Sequence, residues 1–92
     1  MSFVNELESI LRERQKDLPE GSYSSELFKS GLDRILRKIG EESGEVIIAA
    51  KNQDNEELKN EIADLLFHLL VLLREKNLSF DDVIEVLKAR TK

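Results

Sequence analysis

The sequence predicts an all-α fold: a four-helix-type bundle in a single domain spanning residues 1–92. Three observations carry that prediction. Four long stretches repeat apolar residues at helical spacing. Each stretch is bounded by capping or breaking residues. No stretch alternates apolar and polar residues as a half-buried strand does.

The first helix opens at Ser2, an N-cap residue type. Phe3, Leu7, Ile10, Leu11 and Arg14 then follow on one face. Pro19 ends it near Leu18, because the residue before a proline disfavours the α region. Pro19 to Ser25 reads as a loop from its breakers and hydroxyls. Those hydroxyls and the free N–H groups beside them also suit phosphate oxygens. A short helical turn capped by Ser24 or Ser25 covers Glu26 to Lys29, and Gly31 interrupts it.

The second helix spans Leu32 to Lys51, with a stripe of Leu32, Ile35, Leu36, Ile39, Val46, Ala49 and Ala50. The same spacing calls for buried residues at 42 and near 45. Glutamates stand at both, within or beside the stripe, where an unpaired charge is costly. Asn52 to Asn55 form a turn, and Asp54 followed by Glu57 resembles a capping box. The third helix spans Asn55 to Lys76. It is apolar nearly all round from Ile62 to Leu73, which calls for cover on several sides and hence for a partner subunit. Asn77 ends it in a left-handed conformation. Ser79 and Asp82 open the fourth helix, whose apolar face is Phe80, Val83, Ile84 and Leu87. Lys88, Arg90 and Lys92 complement its C-terminal dipole.

A net charge of -5 disfavours a nucleic-acid binder, which would show a basic patch or stripe. The longest charge-free apolar run, Leu65 to Leu73, falls well short of the roughly twenty residues of a membrane span. The N-terminus lacks the basic and long apolar regions of a signal peptide. There is no cysteine for a disulfide or thiolate site. The expectation is a soluble, cytoplasmic protein with no nucleic-acid or membrane partner.

Chemistry concentrates in two acidic pairs, Glu42-x-x-Glu45 and Glu61-x-x-Asp64. A spacing of three places each pair on one helical face. The turn between the helices folds the pairs toward each other. Four converging carboxylates repel unless a cation holds them, and an all-oxygen ligand set points to Mg²⁺ or Mn²⁺. One histidine and no cysteine argue against zinc. A di-iron bundle would need Glu-x-x-His on two helices, which is absent. Solvated acidic faces on a non-catalytic dimerisation or regulatory module are the alternative from another class.

These pairs resemble the metal-binding signature of the all-α nucleoside-triphosphate pyrophosphohydrolases, the MazG-like superfamily. Leu18 to Ser24, Gly31-Leu32-Asp33, Lys38 to Glu42, Ala49 to Asn52 and Ala63 to Leu70 narrow the match. They closely resemble the phosphoribosyl-ATP pyrophosphohydrolase family over about residues 4 to 90. The resemblance implies an enzyme of histidine biosynthesis that hydrolyses phosphoribosyl-ATP to phosphoribosyl-AMP and pyrophosphate with Mg²⁺, on a bundle completed by homodimerisation. It implies Glu42, Glu45, Glu61 and Asp64 as metal ligands, and Glu41 as a further ligand or a base. Spacing does not choose between Glu41 and Glu45 as general base. Lys38 is the first candidate for phosphate charge and Lys51 the second. Ser22, Tyr23 and His68 are candidates for substrate contact, with a hydrogen-bonded core role as the alternative for His68. A house-cleaning enzyme of the same superfamily, acting on other nucleotides, is the nearest rival.

Overall fold

Ser2, Ser22, Asp54 and Ser79 each accept a hydrogen bond from the backbone N–H three residues on, and each opens a helix. The computed structural model describes residues 2–91. Its helices are α1 (Phe3–Asp17), α2 (Tyr23–Ser30), α3 (Leu32–Lys51), α4 (Asn55–Glu75) and α5 (Phe80–Arg90). At Ser79 the capping box is complete, since Asp82 also accepts from the Ser79 N–H.

The turns follow equally local rules. Gln53 and Asn77 take left-handed conformations, with φ of 59° each. After α3, Asp54 N–H donates to Ala49 O and Gln53 N–H to Ala50 O. After α4, Leu78 N–H donates to Leu73 O and Asn77 N–H to Arg74 O. Both are Schellman motifs, which satisfy the helices' last carbonyls. Gly31, at φ 94° and ψ -175°, separates α2 from α3 in a conformation open essentially to glycine alone.

One expected boundary is corrected. The loop ends at Ser22 rather than Ser25, and the cap is neither Ser24 nor Ser25. Ser22 Oγ accepts the Ser25 N–H at 3.3 Å, while Ser24 and Ser25 are buried inside α2. The short helical turn is therefore a full eight-residue helix, and the bundle has five helices among the described residues.

The core is Leu11, Leu27, Ile35, Leu70 and Val71, each essentially inaccessible to solvent. Val4, Leu7, Phe28, Ile39, Phe67, Leu72, Leu73 and Phe80 pack around it. α3 and α4 form the most extensive helix pair, with α1 and α2 against them and α5 against α1. Two charged residues that the sequence patterns pass over are buried. Glu8 accepts the Phe80 N–H at 2.7 Å, tying α1 to the start of α5. Arg74 donates to the Leu78 carbonyl, and its own carbonyl accepts from Gln15 Nε2 at 3.1 Å.

Many apolar side chains stay uncovered in the single chain, some within the expected stripes and some, such as Ile47, Ile48 and Val86, outside them. Leu36, Ile47, Ile48, Ile62, Leu66 and Leu69 on α3 and α4 are exposed, as are Val83, Val86 and Leu87 on α5. The accessible surface is 6447 Å², against about 5,500 Å² for a folded monomer of this mass. The radius of gyration is 14.3 Å, against about 12 Å for a compact domain of this length. Glu45 is likewise exposed rather than set in a buried stripe, whereas Glu42 is half-buried. No described helix is long and apolar enough to cross a membrane.

Candidate metal centre

The α3–α4 reversal brings carboxylates from both helices together. Glu42 on α3 and Glu61 and Asp64 on α4 each offer an oxygen within 4.8 Å of the other two. Glu42 and Glu61 are half-buried, and Asp64 is exposed. Such a set is electrostatically unbalanced, and the imbalance shows at Glu61. Its carboxyl is pushed up to about 7. The largest cause is a hydrogen bond with Glu57, followed by partial burial and then the contact with Glu42. One of two neighbouring carboxyls retains a proton more readily than either would alone.

Cationic relief comes from one side. Lys38 Nζ lies 3.3 Å from Glu41 Oε1 and 3.8 Å from Glu42 Oε1, one turn earlier on the same helix. The hydrogen bond to Glu41 holds Lys38 above its usual range, against the opposing effect of partial burial. The Tyr23 phenol, reaching over from α2, acts in the same direction.

The other candidates divide between this neighbourhood and places beyond it. Glu41 is exposed beside Lys38. Glu45 is exposed and does not join the Glu42–Glu61–Asp64 group. Lys51 ends α3, about 14 Å of helix rise beyond Glu42. Ser22 Oγ is engaged as the α2 cap, accepts from Arg14 Nη1 at 3.1 Å and contacts Ser24 Oγ at 3.0 Å. Tyr23 Oη is 2.8 Å from His68 Nε2, and His68 Nδ1 is 2.7 Å from the Asp64 carbonyl oxygen. His68 is buried, with its ring edge-on to those of Tyr23 and Phe67.

Glu57 is the participant that sequence reasoning missed. Its position one turn before Glu61 places it on the same face. The capping reading absorbed it, although the structure shows only its N–H used at the cap, donating to Asp54 Oδ1 at 3.1 Å.

All-oxygen convergence on two helices suits a hard divalent cation and, through it, a polyphosphate. The phosphoribosyl-ATP pyrophosphohydrolase family model matches residues 4–91. This chain belongs to that family. A relative from Leptospira biflexa, named phosphoribosyl-ATP pyrophosphatase, is 57% identical over 90 residues, 98% of either chain. A Clostridium botulinum protein of the same name is 51% identical over 87 residues, covering 95% of this chain and 79% of its own. The Bacillus subtilis histidine biosynthesis bifunctional protein HisIE is 63% identical over 87 residues. That match takes in 95% of this chain and 42% of the relative, so the chain spans about two fifths of that bifunctional protein.

Proposed function

We propose that this chain hydrolyses phosphoribosyl-ATP to phosphoribosyl-AMP and pyrophosphate, with Mg²⁺ or in its place Mn²⁺, in the second step of cytoplasmic histidine biosynthesis. The observation that carries the reading is the convergence of Glu42, Glu61 and Asp64 in a chain that matches the pyrophosphohydrolase family nearly end to end. The residues fit a hard cation. They are all oxygen donors, they come from two helices, and Glu57, partial burial and Glu42 raise the Glu61 carboxyl above its ordinary range, a repulsion that a cation would relieve.

When bound, Mg²⁺ would draw charge from the phosphate oxygens as the anhydride opens. The chain's own residues supply the rest. Glu42, Glu61 and Asp64 would hold the cation, and Glu45, on the same face of α3, would complete the set. Glu41 or Glu45 takes the proton of the attacking water. Lys38, beside Glu41 and Glu42, would meet a phosphate oxygen. Lys51 serves the far end of a long nucleotide. Ser22 and the hydroxyl of Tyr23 are already engaged, so the start of α2 meets the substrate through the exposed ring of Tyr23. His68 supports the site from below rather than touching the nucleotide.

The working unit in this reading is a homodimer. A second copy covers the exposed apolar residues of α3, α4 and α5 and removes the excess surface. Sedimentation at micromolar concentration tests it, and a monomer there would sink the dimer. The activity is tested by pyrophosphate release from phosphoribosyl-ATP against a panel of nucleoside triphosphates, with and without Mg²⁺. Turnover of phosphoribosyl-ATP alone supports the proposal. An inert phosphoribosyl-ATP beside a consumed triphosphate would move the chain to house-cleaning chemistry. Weak, unsaturable Mg²⁺ association with no turnover would leave a non-catalytic module.

A further inference from the structure

We infer that Tyr23 and His68 are positioning residues: a two-bond relay from the start of α2 to the Asp64 carbonyl fixes the turn of α4 on which Asp64 stands. The inference rests on the metal-site reading above and deepens it.

The direction of each bond follows from its atoms. A backbone carbonyl can only accept, so His68 Nδ1 carries the proton it donates to Asp64 O at 2.7 Å. In that neutral tautomer Nε2 presents a lone pair, and Tyr23 Oη–H donates to it at 2.8 Å. Both ring nitrogens are thereby occupied. The imidazole is only 4% exposed. Tyr23 and Phe67 stand edge-on to it, with ring centroids 5.6 and 5.3 Å away and interplanar angles of 80° and 87°. It has no free nitrogen for a cation or a nucleotide and no room to turn.

What the relay joins matters more than its strength. Among the described residues, Tyr23–His68 is the one side-chain hydrogen bond between α2 and α4. It couples the Pro19–Ser22 loop, through the first residue of α2, to the peptide unit of a residue in the acidic group. Asp64 is exposed and its side chain is short, so its backbone decides where its carboxylate sits. Groups that orient a metal-binding residue from behind commonly change metal affinity about 10- to 100-fold when removed.

The test compares Tyr23→Phe, His68→Asn and His68→Gln in the full chain. The readouts are ¹⁵N NMR of the histidine ring, Mg²⁺ titration calorimetry, and thermal melting as a control. In the wild type the proton sits on Nδ1. Tyr23→Phe keeps the ring and its packing but removes the donor. The Nδ1 proton should stay on its bond to Asp64 O, the Nε2 resonance should shift as it loses its donor, and Mg²⁺ affinity should fall by about tenfold with the fold intact. His68→Asn retains an N–H near the Nδ1 position but not the bond to Tyr23, so it should lose no more than Tyr23→Phe does and keep the remaining affinity. His68→Gln moves that donor toward Nε2 and should lose it.

An unshifted Nε2 resonance and wild-type Mg²⁺ affinity in Tyr23→Phe would overturn the relay. So would equal losses in His68→Asn and His68→Gln. An Nε2-protonated wild-type ring would overturn it without reference to metal. Failure of the wild type to bind Mg²⁺ would overturn the metal-site reading, and the claim about Asp64 with it. An inert phosphoribosyl-ATP with Mg²⁺ binding intact would overturn the substrate alone.

Discussion

The two acidic pairs share a spacing and differ in what precedes them. On α3, Lys38 stands four residues before Glu42 and reaches both Glu41 and Glu42. On α4, Glu57 stands four residues before Glu61 and is the main reason its carboxyl is pushed up to about 7. The α3 half carries its own counter-charge, while the α4 half adds to its own repulsion. The pairs also differ in reach. Glu61 and Asp64 both join the acidic group, whereas Glu42 joins and Glu45 does not. Glu45 is exposed and stands outside the group, although it shares its side-chain length with Glu42 and Glu61, which join. Helical spacing decides which backbone positions face each other, and side-chain conformation decides which carboxylates meet.

The largest break in this comparison comes on the α4 side. Glu61→Gln and Asp64→Asn should each lower phosphoribosyl-ATP turnover by about 100-fold or more, read by pyrophosphate release. Both should leave circular dichroism unchanged and match or raise the metal-free melting temperature, since each removes one of the repelling charges. A collapsed fold in either would assign these carboxylates to structure.

The α3 side should respond unevenly. Glu42→Gln should weaken Mg²⁺ binding strongly, whereas Glu45→Gln should weaken it by about tenfold or less, because Glu45 must first be drawn in. Equal losses by calorimetry would mean that Glu45 is as fixed a ligand as Glu42 when Mg²⁺ is present.

A smaller effect is set by pH. The folded carboxyl of Glu61 lies at about 7, above its ordinary 4.5. A raised carboxyl contributes stability that is fully present below about pH 4.5 and is lost as pH rises through about 7, because the folded state binds the extra proton. Metal-free protein should therefore lose melting temperature between those values, and Mg²⁺ should restore it at the upper end. Glu57→Gln removes the main cause and should move both this loss and the onset of Mg²⁺ binding to lower pH. An unchanged profile in Glu57→Gln would place the cause in the Glu42 contact or in burial.

Much of this was legible in the sequence. α3 begins at Leu32 and ends at Lys51, as its stripe and flanking turn require. The caps at Ser2, Asp54 and Ser79 and the left-handed Asn77 follow from local chemistry alone. The early start of α2 was hidden, because three candidate caps lie within four residues and the choice depends on distant partners: Tyr23 on His68 and Arg14 on Ser22. Buried Glu8 and Arg74 were hidden for the same reason, since their partners are backbone groups on other segments. At the site, spacing found Glu42, Glu61 and Asp64. It could not foresee that Glu45 stays outside the group or that the Glu57 side chain meets Glu61, because side-chain conformation does not follow from the backbone position alone.

The bond from Glu8 to the Phe80 N–H has a consequence for the order in which the chain assembles. It joins residues 72 apart, and α5 has no buried residue of its own. The carboxylate that completes the start of α5 arrives only after α1 has docked, so closure of nearly the whole chain precedes it. α5 should be the last helix to gain protection during refolding and the first to lose it. In native-state hydrogen exchange its amides should open at lower free energy than those of α4 around Leu70 and Val71. Glu8→Ala should widen that gap while leaving the α3–α4 hairpin as slow to exchange as before.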